Sequence, residues 1–258
     1  MPSEAARLTL FALPGIPEVH PGDDLPALLL AALKRAGEAL QDNDVLVLAQ
    51  KIVSKAEGRL AKLNEIKASP RAAEIAKVAD KDPRVVELIL GESVEVMRQR
   101  PGVIVVEHKH GYVLANAGID ASNVEPLAEG EQVLLLPADP DASAARIRAA
   151  LEQASGKRLG VVINDSLGRA WRNGTVGTAL GASGLPGLLD LRGTPDRHGR
   201  VLRITEIGAA DEVAAAASLL MGQADEGRPA ILVRGFPYKL REGNARELIR
   251  PKGMDLFR

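Results

Sequence analysis

Cysteine is absent from this sequence, and aromatic residues make up only 2% of it. Without cysteine the chain can form neither disulfides nor thiolate zinc sites and has no cysteine nucleophile, so any metal must bind to oxygen or imidazole. With so few aromatic rings it cannot build the stacking platforms that bind single-stranded nucleic acid. The chemistry must therefore rest on carboxylates, hydroxyls, amides, amines and imidazoles.

An excess of charge of either sign is also missing, because 33 basic and 34 acidic residues leave a net charge of -1. We therefore expect no general attraction to nucleic acid or to anionic lipid. No apolar run approaches the ~20 residues of a membrane span, and the first residues, Met1-Pro2-Ser3-Glu4, lack the pattern of a signal peptide. The sequence predicts a cytoplasmic protein without membrane contact.

The chain has 258 residues, of which 46% are hydrophobic, enough for one large domain or two interleaved lobes. Its mixture of strand and helix patterns, without a regular βαβ alternation or a repeat, favours an α+β fold. The glycine-rich stretch 168–199 predicts turns, bulges and close backbone approach. The expected strands are 8–13, 45–49, 133–136, 159–163, 201–204 and 231–233, together with a hairpin of 103–106 and 112–114. The expected helices are 25–40, a helical stretch at 70–98 that is broken near Pro83 and Gly91, a helix that ends at Gly156, and 213–221.

Polar clusters follow three of the apolar runs, at 50–58, 116–123 and 164–172. Side chains placed where strands end can converge on one rigidly held cleft. The alternative for each cluster is an ordinary solvated loop. We expect the three clusters to form a single site.

Asp120 and Asp165 are the candidate metal ligands of these clusters, because small neighbouring residues leave room for a cation and its waters. Alternatively, each aspartate caps a turn or a helix. Lys51, Lys55 and Arg59 recur every four residues, so on a helix they share one face and can neutralise phosphate oxygens. Their alternative is a solvated surface stripe.

Several familiar catalytic motifs do not occur. The P-loop, the kinase glycine loop and the Rossmann fingerprint are missing in their required context, and Ser166 does not stand in a G-x-S-x-G elbow. His108 and His110 lie on one face of a strand and could bind metal, but we expect them to be exposed imidazoles at a hairpin tip.

Five segments in this order resemble a known family: Leu13-Pro14-Gly15-Ile16, 49–59 (AQKIVSKAEGR), 116–123 (NAGIDASN), 164–169 (NDSLGR) and Met221-Gly222-Gln223. The chain closely resembles the coenzyme F-420 L-glutamate ligases, also called F-420-0 gamma-glutamyl ligases. The resemblance covers about 8–238, and we treat the whole chain, 1–258, as one ligase unit with an extension at 239–258 whose role is open.

The resemblance implies a GTP-dependent ligase that joins L-glutamate to the lactyl carboxylate of a deazaflavin precursor and adds further glutamates through gamma linkages. It implies Mg²⁺ or Mn²⁺ and K⁺ as cofactors, and an unusual α+β fold assembled as an intertwined homodimer. The implied GTP site consists of a backbone cradle, side-chain contacts and a loop from Met221 to Arg228 that follows the nucleotide. Its residues are Leu13, Pro14, Gly15 and Ile16 in the cradle, Gln50, Lys51, Lys55 and Asn123 as contacts, and Met221, Gly222 and Gln223 in the loop. The implied metal ligands are Asp120 and Asp165, with Ser166 and Gln223 at a second metal.

Such a reaction needs an activated carboxylate, for which transfer of the GTP gamma-phosphoryl group to give an acyl phosphate is the expected first step. Asp120 and Asp165 with their metals, and Lys51 or Lys55, are the candidate catalytic groups. Arg169 or Arg172 could clamp a carboxylate. The alternatives are a non-catalytic nucleotide or deazaflavin binding protein and a metal-dependent phosphohydrolase.

Overall fold

A computed structural model describes residues 6–122 and 131–256, and it shows an α+β chain as expected. Within these residues no helix is long and apolar enough to cross a membrane. The α-helices are α1 (Leu25–Ala36), α2 (Gln50–Ala56), α3 (Pro70–Ala79), α4 (Pro83–Gly91), α5 (Pro140–Ser155) and α6 (Ala209–Met221). The strands are β1 (Thr9–Ala12), β2 (Val45–Ala49), β3 (Leu60–Lys62), β4 (Ser93–Arg100), β5 (Val103–His108), β6 (Val113–Ala115), β7 (Gln132–Leu134), β8 (Gly160–Arg169), β9 (Arg172–Ser183), β10 (Leu189–Asp190), β11 (Glu206–Ile207) and β12 (Ala230–Arg234).

A five-stranded sheet with the order β1-β12-β2-β8-β9 forms the centre of the molecule. β2 and β8 run parallel, and the other neighbours are antiparallel. The continuous apolar runs of β2 and β12 are buried because cores cover both faces of this sheet. α1 and α5 contribute to the core on one face, and α6 contributes to the core on the other.

An aspartate at the start and a glycine at the end define the limits of α1 and α5. The Asp24 carboxylate accepts the N–H of Ala27 at 3.0 Å, and Gly37 ends α1 in the left-handed conformation. Asp139 and Gly156 cap α5 in the same way. Helix α1 therefore ends at Ala36, before the Leu40 limit of the expected helix.

Residues 63–119 form a subdomain that is inserted between β3 and β7. These two strands pair with each other, so the insertion begins and returns at one place. Its three-stranded sheet, β4-β5-β6, packs against α3 and α4 around a core of its own. Leu114, Leu136 and Leu180 share a further core cluster that joins the subdomain to the central sheet.

Several sequence-based boundaries were wrong. Residues 93–100 form a strand, because pairing with β5 overrides the helical pattern that was expected up to 98. Residues 201–204 are no strand: Val201 makes only an isolated bridge to Pro195, which has no N–H to extend a ladder. The cluster at 164–169 is not a loop after a strand but lies inside β8, because β9 pairs with it throughout.

The expectation for the histidines was also wrong, since His108 is completely buried. Its turn folds back onto the end of α4, where Lys109 N–H donates to Glu92 O at 3.0 Å. The Nε2 atom of His108 lies 3.6 Å from a Glu92 carboxylate oxygen. Among the residues described, no three His, Asp or Glu side chains cluster in a way that could hold a metal.

The segment after 238 packs against the central sheet. Leu240 and Ala245 are buried in the core that contains α6. The N–H of Ala245 donates to the Asp141 carboxylate at 2.8 Å, and Arg241 pairs with Glu247 at 2.7 Å. Residues 240–247 of this stretch are thus part of the fold.

Candidate functional site

An open cleft of about 570 Å³ lies where β2 ends beside β8. Because the two strands are parallel and Ala49 pairs with Asn164, the residues after β2 leave the sheet next to Asp165. Gln50 and Lys51 line the cleft from the start of α2. The structure brings residues of all three polar clusters to this cleft.

Lys51 and Asp120 form an ion pair across the cleft wall. The Lys51 Nζ atom lies 2.8 Å from Asp120 Oδ2 and 2.6 Å from Ser122 Oγ. Asp120 also accepts the Ser122 N–H at 2.7 Å, so it caps a turn as well as facing the cleft. Burial alone would raise the pKa of Asp120, but the hydrogen bonds and charge of Lys51 and the donors of Ser122 outweigh it and lower that pKa. Asp120 is held in its charged form.

Lys55 lies one helical turn further along α2 and is buried, with its ammonium group bonded to Glu18. Glu18 also lines the cleft. Gln50 is 2% exposed, and its side-chain oxygen accepts from Ser54 at 2.9 Å. The shared face expected for Lys51, Lys55 and Arg59 does not include Arg59.

Arg59 lies beyond the end of α2 because the helix stops at Ala56 and Gly58 takes a positive φ. Its guanidinium group instead donates to Leu136 O at 2.8 Å and pairs with Glu92 at 3.0 Å. Arg59 therefore joins the end of α2 to the inserted subdomain and takes no part in lining the cleft.

Asn164, Asp165 and Ser166 line the cleft from β8. Burial raises the pKa of Asp165, which the N–H of Ser166 at 2.8 Å and the charge of Lys51 only partly oppose. The Oδ1 atom of Asn164 is buried, and among the described residues it has no hydrogen-bond partner. A buried acceptor of this kind is costly unless a bound group satisfies it.

The segment after α6 forms the opposite wall, which Met221, Gly222 and Gln223 line. Gly222 has a φ of 77° and a ψ of -177°, a backbone conformation that side chains rarely adopt, so this position favours glycine. Gln223 donates to Ser218 Oγ at 3.0 Å. This places Gln223 beside α6 and at the cleft.

The candidate cradle at Leu13 to Ile16 meets the cleft only at Ile16. Leu13 is 1% exposed and belongs to the core. The carbonyl of Gly15 accepts from Arg35 at 2.7 Å, away from the cleft lining. The remaining expected GTP contact, Asn123, lies outside the described residues.

The described cleft lining is more acidic than basic. Five carboxylates outnumber three cationic side chains, and both lysines are already paired with carboxylates. A polyphosphate would be repelled here unless cations accompanied it. Asp120, Asp165 and the unpartnered Asn164 Oδ1 are hard oxygen donors of the type that Mg²⁺ and Mn²⁺ prefer. The residues present therefore fit a divalent cation.

The sequence singled out most of the polar lining but missed Glu18 and Ser218. Asn164 was expected at the site as the first residue of the cluster 164–172, but the sequence indicated no role of its own for it. Glu18 and Ser218 carry no local signal, since only the three-dimensional fold brings them to Lys55 and Gln223.

The cleft of this α+β chain contains hard oxygen donors and two lysines that are each paired with a carboxylate. Such a cleft can bind phosphate groups through cations. Residues 15–235 match the family described as F420-0:Gamma-glutamyl ligase. Among curated relatives, the Coenzyme F420:L-glutamate ligase of Methanothermobacter thermautotrophicus is 49% identical, covering 97% of this chain and 99% of the relative. The proteins of the same name from Methanopyrus kandleri and Archaeoglobus fulgidus are 46% and 42% identical, covering 93% and 98% of this chain and 94% and 97% of the relatives. The chain belongs to the F420-0:gamma-glutamyl ligase family.

Proposed function

We propose that this protein is a GTP-dependent ligase that joins L-glutamate to the lactyl carboxylate of a deazaflavin precursor of coenzyme F420. The observation that carries the proposal is the cleft, in a chain that matches a ligase relative over 97% of its length. Carboxylates paired with the half-buried Lys51 and the buried Lys55 converge there with an amide oxygen that has no partner among the described residues. The names of the relatives supply the coenzyme and glutamate as substrates.

Divalent cations have a defined place in this proposal. Asp120 and Asp165 would hold them, with Asn164 Oδ1, Ser166 and Gln223 as further oxygen donors. When bound, such cations neutralise phosphate charge and orient the oxygens for in-line transfer. We propose Mg²⁺ or Mn²⁺ for these positions and K⁺ as an additional cofactor.

The lysines of α2 would then meet the nucleotide. Lys51 and Lys55 stand one turn apart on the helix that begins where β2 ends, so both ammonium groups are fixed relative to the sheet. Each is held by a carboxylate that can release it partly when a phosphate oxygen offers a second acceptor. Ile16, Met221 and Gly222 supply the apolar and backbone surfaces of the same cleft.

The reaction requires a leaving group on the acceptor. The lactyl carboxylate attacks the gamma-phosphorus of GTP, giving an acyl phosphate and GDP. The amine of L-glutamate then attacks the acyl carbon, and phosphate leaves with one oxygen of the original carboxylate. The residues assigned here position and neutralise the phosphates, and none of them needs to form a covalent bond.

Further glutamates would be added by the same chemistry at the gamma-carboxylate of the growing chain. The protein would work as an intertwined homodimer in the cytoplasm. Every further addition depends on the first amide bond, so the first bond is the part to test.

Mass spectrometry of the products tests the proposal. Purified protein with GTP, a divalent cation, L-glutamate and the deazaflavin precursor should yield the precursor enlarged by one or more glutamyl residues. ATP in place of GTP is the matched control. GTP hydrolysis at full rate without the precursor would indicate a phosphohydrolase, and binding without turnover would indicate a non-catalytic binding protein.

A further inference from the structure

The hairpin of β8 and β9 projects beyond the central sheet and ends in a positively charged, aromatic tip. Burial falls along β8 from Asn164, which is 4% exposed, to a tip at 168–175 in which every residue is exposed. Trp171, the single tryptophan of the sequence, is 89% exposed there. We name residues 168–175 the hairpin tip.

The backbone of Trp171 is unusual. Its φ is 64°, in the left-handed region that bulky side chains rarely adopt. Glycine would fit this turn better, and glycines stand nearby at 168 and 174. A large apolar ring kept in a strained and exposed position indicates that the ring itself has a use.

In the part of the chain that the structure describes, the arginines on both sides of Trp171 have no carboxylate partner. Arg169 and Arg172 stand directly opposite each other in the strand register. Like charges placed opposite each other in a sheet are unfavourable, and within the described residues neither guanidinium pairs with a carboxylate. Arg169 donates only to the Gly174 carbonyl, at 3.1 Å. An anion beside the tip would relieve this repulsion.

The tip continues the strand that forms the cleft wall. Ser166 lines the cleft, and the three residues from there to Arg169 extend about 10 Å along the strand. A molecule that reaches from Asp165 to Trp171 must therefore have two parts: a reactive end in the cleft and an aromatic, partly anionic body about 10–15 Å away.

We propose that the hairpin tip is the subsite for the fused aromatic ring of the acceptor, with Trp171 stacking on the ring and Arg169 and Arg172 binding anionic groups of its side chain. This inference rests on the proposed function, because it takes the acceptor to be a deazaflavin whose reacting carboxylate ends a side chain. Trp171 could stack on any flat ring. The two arginines would therefore select acceptors whose side chain carries negative charge.

The kinetic test uses Trp171→Ala in the full chain. Its KM for the deazaflavin acceptor should rise on the order of tenfold, which is the loss of one stacked ring, while the KM values for GTP and glutamate stay unchanged. Trp171→Phe should recover most of the loss because it keeps an aromatic face. Ile204→Ala is the matched control, since Ile204 is an 88% exposed apolar side chain outside the cleft lining.

A binding test works without turnover, because Trp171 is the sole tryptophan. Acrylamide should quench its fluorescence less when the deazaflavin acceptor is bound, since the ring covers the indole, whereas lactate, GTP and glutamate should give no protection. Accessibility to the quencher is measured rather than intensity, because energy transfer to a deazaflavin lowers emission even at a distance.

Unchanged quenching, or an acceptor KM within about twofold of the parent in Trp171→Ala, would overturn the subsite. So would a fall in sedimentation mass on that substitution, because the tip would then join two copies of the chain. Failure of the parent protein to form any amide bond would count against the proposed function instead, and the quenching test would still decide whether the tip binds the ring.

Discussion

The Nζ atom of Lys51 lies 2.8 Å from Oδ2 of Asp120, and this ion pair joins the helix after β2 to the chain that returns from the inserted subdomain. Lys51 and Asp120 are 69 positions apart in the numbering of the sequence. The pairing of β3 with β7 brings them together, because it closes the base of the insertion beside the cleft. The subdomain thus helps to place a catalytic candidate.

Removal of either carboxylate charge should abolish ligation. In Asp120→Asn and Asp165→Asn the neutral amide oxygen holds a divalent cation weakly, and we expect kcat/KM to fall on the order of 100-fold or more. Steady-state kinetics checks the loss, and circular dichroism checks that the fold remains.

Asp80→Asn is the control for both variants. Asp80 caps α3 on the surface in a left-handed conformation that asparagine also adopts, so ligation should be unaffected. Near-normal turnover of the Asp120 and Asp165 variants would remove these residues from the active site.

Loss of a lysine from α2 should weaken GTP binding more than glutamate binding. Lys51→Ala and Lys55→Ala each remove a charge-assisted contact to phosphate, which costs about 1.5–3 kcal/mol, or roughly tenfold to a hundredfold in affinity. Lys55→Ala also leaves the Glu18 carboxylate uncompensated in the cleft.

Glu18→Gln added to Lys55→Ala should therefore recover part of the GTP affinity, as measured by titration calorimetry. Lys77→Ala, on the surface of α3, serves as the control for a removed surface charge. If Lys51→Ala and Lys55→Ala both bind GTP as well as the parent protein does, each lysine only forms an ion pair with its carboxylate and does not contact the nucleotide.

Glu92 should make stability depend on acid pH. The interaction with His108 is the largest cause that lowers the pKa of Glu92 from 4.5 to about 2, and the charges of Arg59 and Lys109 add to it against the opposing effect of burial. Because the pKa of Glu92 is lower in the folded than in the unfolded protein, its charged form stabilises the fold at pH values above 4.5. This contribution to the free energy of unfolding disappears as the pH falls from 4.5 toward 2.

Urea unfolding of Glu92→Gln should thus show a deficit on the order of 1–3 kcal/mol at neutral pH that shrinks through this acid range. Glu74→Gln, at an exposed position of α3, should show no such deficit. A deficit for Glu92→Gln that is equal at every pH would mean that packing, not charge, is lost.

Gly177 should tolerate no side chain. A Cβ there would lie 2.5 Å from the Ala214 carbonyl oxygen and 2.6 Å from Ser218 Cβ, so α6 would have to move away from β9. We expect Gly177→Ala to lower the unfolding free energy by about 1–3 kcal/mol and to weaken nucleotide binding, because Gln223 is bonded to Ser218. Gly91→Ala, with open space around its Cβ, is the control for thermal unfolding and binding.

The sequence predicts those parts of the fold whose signals are local. The apolar run of β2, the end of α5 at Gly156 and the polar residues after β2 all lie where their patterns indicated. Asp120 and Asp165 were chosen from their small neighbours, and both line the cleft.

Long-range packing determines what local patterns missed. The polar run 164–169 became strand because β9 pairs along its whole length, and His108 became buried because its hairpin folds onto Glu92. Glu18 reached the site through its ion pair with Lys55, across a sequence separation of 37 residues. None of these contacts can be inferred from residue spacing alone.

Transfer of an oxygen atom tests the central claim most directly. The lactyl carboxylate of the deazaflavin precursor is labelled with oxygen-18, ligation with GTP and glutamate is run, and the released phosphate is analysed by mass spectrometry. An acyl phosphate requires that one labelled oxygen leave with each phosphate, in step with each amide bond formed. Unlabelled phosphate accompanied by normal ligation would contradict this account.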